Sequence, residues 1–128
     1  MMNGFLLVAL GGAIGASLRY GAGLAFTQHG GVGGAWATLF VNVVGCAVMG
    51  ALAAWLANRG EGGNDVLWLL LGVGVLGAFT TFSSFSRDAI NLYLDGETLK
   101  ATAYIGANMI GSLAAFAAGL MAMRRLIG

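Results

Sequence analysis

The sequence predicts an all-α membrane protein of four transmembrane helices, the third of them broken, in a single domain covering residues 1–128. Three observations predict it. Hydrophobic residues make up 59% of the chain and charged residues 9%, with a mean hydropathy of +0.86. That is more apolar surface than a soluble domain of this size can hide. The apolar residues fall in four windows, 4–26, 35–57, 66–86 and 101–123, and the one charge in them is Arg19. Each window is long enough to cross a hydrocarbon core of about 30 Å at about 1.5 Å per helical residue. The connectors, near 27–34, 58–65 and 95–100, leave no room for a soluble domain. Binding or transport chemistry therefore lies in the membrane.

Helix one lacks the basic start of a signal peptide and runs past a usual h-region, so it is read as a retained span. Gly11 and Gly15 form a small-xxx-small pair that lets another helix approach closely. Arg19, in the outer part, either raises the local anion concentration or snorkels to the headgroups. Helix two carries Thr38 and Asn42, four residues apart on one face. Cys46 has no second cysteine to pair with and reads as a small apolar packing residue.

Helix three extends over 66–94 with Thr80 near its centre. Gly72, Gly74 and Gly77 spell GxGxxG, but a dinucleotide site needs a strand before this motif and a helix start after it. In an all-apolar span the glycines serve close contact or a backbone that departs from the helix. Thr80-Thr81-Phe82-Ser83-Ser84-Phe85-Ser86 then places five hydroxyls and two phenylalanines at mid-membrane. Such hydroxyls bond back to their own i−4 carbonyls in a continuous helix, or satisfy backbone groups freed by a break. Five in seven residues favour a break and a site. Exposed carbonyls there coordinate cations, and amide N–H groups bind anions. Phe82 and Phe85 share a helix face, and their electropositive ring edges suit an anion. Helix four carries Tyr104, Asn108 and Ser112 as one stripe of donors, with Gly111, Ala115 and Gly119 as a second small-residue face.

Several function classes are excluded or weakened. A net charge of +1 without a basic run gives nucleic-acid binding no support. His29, in a Gly-rich loop, has no second metal ligand nearby, and no Ser-His-Asp set can assemble. Asp65 flanks a loop, and Asp88 beside Arg87 is read as a vestibule or surface charge. That leaves no carboxylate near the middle of a span, where proton-coupled antiport usually needs one. A lining of hydroxyl, amide and ring-edge donors suits a small, strongly hydrated anion. Lys and Arg divide evenly between the two sides, with Arg59, Arg124 and Arg125 against Lys100, Arg19 and Arg87. Such a chain either inserts both ways, permitting an antiparallel homodimer, or has its orientation set by an insertion factor.

Residues 77–86, Gly-Ala-Phe-Thr-Thr-Phe-Ser-Ser-Phe-Ser, resemble the helix-three signature of the small fluoride channels called Fluc or CrcB. The resemblance extends over the whole chain, through residues 11–20, 38–42 and 111–113. It implies a bacterial inner-membrane protein that is an antiparallel homodimer with two pores and passively exports cytoplasmic fluoride. One structural Na⁺ at the dimer centre is implied as a cofactor, held by the backbone carbonyls of Gly77 and Thr80. Phe82 and Phe85 are implied as contacts of the ion and Asn42 as a pore-facing residue, with Ser83, Ser84, Tyr104, Asn108 and Ser112 as a polar track. Thr81 and Arg19 complete the expected pore set. Four places depart from the pattern: Ala78 where Gly is common, Asn108 where Ser is frequent, Phe116 where a hydroxyl occurs, and Arg87-Asp88 where a small residue and Glu are often seen. The alternatives are a small dual-topology proton-coupled multidrug exporter, which requires a membrane acid, and an accessory membrane protein whose polar stripes are interhelical glue.

Overall fold

The computed structural model describes residues 2–30, 33–60 and 65–128, with backbone alone for 2, 29 and 30. Helix α1 spans Met2–Gly30 and α2 spans Gly34–Asn58. The third span opens with a π-helical segment, Trp68–Leu76, followed by a single α-helical turn, α3, at Gly77–Phe79. Helix α4 covers Phe82–Leu94, and α5 covers Thr98–Ile127. They make four spans long and apolar enough to cross a membrane, the third running from Trp68 to Leu94.

The helices outrun the windows that composition marks. The first extends to Gly30, so the backbone of His29 is helical rather than part of a loop, while its side chain lies outside the described residues. Connector residues 31, 32 and 61–64 also lie outside them. Asp65 is the start signal of the third span: its Oδ1 accepts from the N–H of Leu67 at 2.7 Å and of Trp68 at 3.3 Å. This satisfies donors that a helix start leaves open. Gly96, at φ +80°, makes the tight link between α4 and α5.

Two close crossings hold the bundle. Gly11 and Gly15 of α1 lie against the third span: a Cβ at Gly11 would stand 2.9 Å from Gly74 Cα, and one at Gly15 would overlap Val75 O and come within 3.1 Å of Ala78 Cβ. On the other side, Gly50 of α2 meets the backbone at Phe116, and Gly119 of α5 meets that at Ala47. Gly11 and Gly15 of the first predicted stripe and Gly119 of the second therefore make backbone contact, which is how helices attract where lipid gives no hydrophobic drive.

The third span changes partners halfway. The π-helical segment and α3 lean on α1, whereas α4 packs on α5 and α2. Among the described residues α4 does not pack on α1, nor the π-helical segment on α5. The switch happens at Thr80 and Thr81, whose backbones are extended, with φ/ψ of −81°/155° and −152°/119°. Helix α4 restarts because Thr81 Oγ1 accepts from Ser84 N at 3.1 Å, an N-cap bond.

Candidate functional site

Where α4 leaves α1, two cavities open, one on each side of Thr81. The larger, of about 490 Å³, lies between α1, α2 and α4 and is lined by Arg19, Tyr20, Thr38, Ser84 and Arg87 among others. The smaller, of about 270 Å³, lies between α2, α4 and α5 and is lined by Asn42, Thr80, Phe82, Phe85, Asn108 and Ser112. Thr81 lines both. Half-buried Cys46 also lines the smaller cavity.

Most of the predicted residues thus converge on one mid-span region. Phe82 and Phe85 meet edge to face with ring centroids 5.2 Å apart. Phe82 is 70% exposed in the single chain, while Phe85 is 7% exposed and stacks against Tyr104 at 5.7 Å. Tyr104 is buried and lines neither cavity. Ser83 is exposed, its hydroxyl 3.3 Å from that of Thr81. Gly77 faces outward, and Thr80 is half-buried against Gly45, where a Cβ would strike the Thr80 methyl.

Accounting for hydrogens separates structural donors from available ones. Thr80 and Ser86 donate back to the carbonyls of Leu76 and Phe82, at 3.0 and 2.9 Å. Asn42 Nδ2 has two hydrogens, and both are engaged, by Thr81 O at 3.1 Å and Asn108 Oδ1 at 3.0 Å. Tyr104 donates its hydroxyl to Asp88 Oδ2 at 3.3 Å, and Asn108 Nδ2 donates one hydrogen to Tyr104 O at 3.2 Å. The hydroxyls of Ser84 and Ser112 make no bond among the described residues, and each lines a cavity.

One charged residue differs from its sequence reading. Asp88 is 8% exposed rather than on the surface. Its Oδ2 accepts from Thr38 Oγ1 at 2.8 Å and from Tyr104, and its Oδ1 accepts from Arg87 Nε and Nη2 at 3.2 and 3.0 Å. A buried carboxylate requires such partners, and they come from α2, α4 and α5 together. The polar stripes Thr38–Asn42 and Tyr104–Asn108, four residues apart on each helix, were the signal for it. Arg19 lines the larger cavity, and its Nε donates to Ala78 O at 3.0 Å, next to the interruption.

Residues 6–120 match the sequence profile of the family described as CrcB-like protein, Camphor Resistance (CrcB). The chain belongs to the CrcB family. Relatives similar to it include proteins named fluoride-specific ion channel FluC from Hyphomonas neptunium and Caulobacter vibrioides, 51% and 43% identical, each over 98% of both chains. Another of that name, from Rhizobium etli, is 48% identical over 98% of this chain and 99% of its own. Family membership and four spans make this a multi-pass bacterial membrane protein.

Proposed function

We propose that the protein is a fluoride-selective channel, not an enzyme, that lets cytoplasmic fluoride leave passively through two pores of an antiparallel homodimer. One observation carries this reading: along 98% of its length the chain matches relatives named fluoride-specific ion channels. The geometry is compatible with that cargo. Beside the interruption lie ring edges of Phe82 and Phe85 and the uncommitted hydroxyls of Ser84 and Ser112. A small hard anion that sheds water needs compact donors to replace its hydration shell. Arg19 and Arg87 line the larger cavity, where positive charge concentrates anions at the entry.

A structural Na⁺ belongs to the same proposal, with Gly77 and Thr80 as the residues that would hold it. Their carbonyls suit a hard cation because each has lost the donor that a continuous helix supplies. The Thr81 N–H goes to Asn42 Oδ1 at 2.8 Å instead of to Gly77, and the Ser84 N–H goes to Thr81 Oγ1 instead of to Thr80. Gly77 faces outward, the direction from which a second subunit would approach. When bound, the ion supplies a fixed positive charge at the interruption.

The exporter reading gains one observation, the buried acid Asp88 in the third span. Against it, both oxygens of Asp88 are engaged, one of them by the permanent charge of Arg87. Liposomes loaded with fluoride or chloride separate the two. Fast fluoride loss with chloride retained is expected. Fluoride retained by vesicles carrying assembled protein refutes the channel, and proton uptake driven by a cationic drug favours the exporter.

A further inference from the structure

We infer that Asn42 and Asn108 form an amide clamp that positions the Thr81 peptide between the two cavities, acting as positioning residues rather than as donors to the conducted ion. The polarity of the clamp is forced. A backbone N–H only donates, so the atom of Asn42 facing Thr81 N at 2.8 Å is Oδ1. A carbonyl only accepts, so the atom facing Thr81 O at 3.1 Å is Nδ2. The second hydrogen of Nδ2 then requires an acceptor, which makes the facing atom of Asn108 its Oδ1, at 3.0 Å. Asn108 Nδ2 is left pointing to Tyr104 O at 3.2 Å, again an obligate acceptor. Donation thus runs one way, from the extended Thr81 N–H in the third span, through the two amides, to the Tyr104 carbonyl on α5.

Both amides are largely buried, Asn42 at 9% and Asn108 at 3% exposure, so a lost protein partner is costly. Thr81 is extended and outside any helical ladder, so its N–H and C=O depend on a side chain for satisfaction. Without Asn108 the Asn42 amide keeps its contact to Thr81 but loses the acceptor that holds its orientation. Thr81 lines both cavities, so its placement shapes the wall between them. That fluoride passes this wall rests on the channel reading; the clamp itself does not.

Amide hydrogen exchange of the full-length protein in lipid nanodiscs, read by NMR, tests it. Asn108→Leu is expected to speed Thr81 exchange by about 3- to 20-fold, the range for one interhelical hydrogen bond in a membrane. Thr80, whose N–H bonds Leu76 O, serves as the unchanged reference. In Asn42→Ala the Thr81 amide exchanges faster still, and adding Asn108→Leu produces no further change. Fluoride efflux follows the same pattern, falling with Asn108→Leu in the wild-type background but not in Asn42→Ala. Thr81 exchange untouched by Asn108→Leu, or effects of the two substitutions that multiply, overturns the clamp. Asn108→Ala serves equally where the leucine variant does not assemble. Wild-type fluoride flux is read separately, so failure of the channel reading leaves the exchange result to decide the clamp.

Discussion

Replacing Gly15 by alanine should uncouple α1 from the third span. The added methyl overlaps Val75 O and lies 3.1 Å from Ala78 Cβ, and neither backbone position can yield alone. Helix α1 must therefore back away by on the order of 1 Å, at an overpacking cost of about 1–3 kcal/mol. Arg19 lies one turn further along the same face, and its 3.0 Å bond to Ala78 O does not survive that shift. Its loss adds about 0.6–1.7 kcal/mol, while the helix preference of alanine over glycine returns at most about 1 kcal/mol. The net destabilisation is roughly 1–4 kcal/mol. Gly21, on the same helix, has no atom within 4 Å of the position a methyl would take and serves as the control. Reversible denaturation in mixed micelles should show Gly15→Ala destabilised, Gly21→Ala neutral or slightly stabilised, and Gly15→Ala/Arg19→Met no worse than Gly15→Ala. Equal stability of the Gly15 and Gly21 variants would refute the close crossing as the source of packing here.

The hydroxyl accounting predicts that Ser112→Ala slows fluoride efflux about fivefold, the worth of one neutral hydrogen bond of about 1 kcal/mol. Ser86→Ala, whose hydroxyl is engaged by Phe82 O, should leave efflux unchanged in the same electrode assay. Phe82→Ile and Phe85→Ile should each slow efflux severely. The second should also cost stability, about 1–2 kcal/mol, because Phe85 is buried against Tyr104 within the chain. Normal flux in both would remove the rings from the mechanism.

The four spans were legible in composition because hydrocarbon admits few alternatives to apolar helices. The small-residue stripes were legible too, as close contacts whose partners the sequence did not name. Individual hydroxyls were not: Thr80, Ser86 and Ser112 look alike in sequence, yet two are spent on their own helix and the third opens into a cavity. Asp88 beside Arg87 reads as a surface pair until Thr38 and Tyr104 arrive from other helices to bury it. Arg19 was equally ambiguous until a carbonyl of the third span met it.

By itself, then, the sequence determined that this chain crosses a membrane four times with a run of hydroxyls and rings at mid-depth, since chain length and lipid thickness alone require it. Only the tertiary structure decided which of those polar groups remain free, because a hydrogen has one acceptor at a time. The acceptors here, Thr81 O for Asn42 and Asp88 for Tyr104, lie on another span brought close by packing.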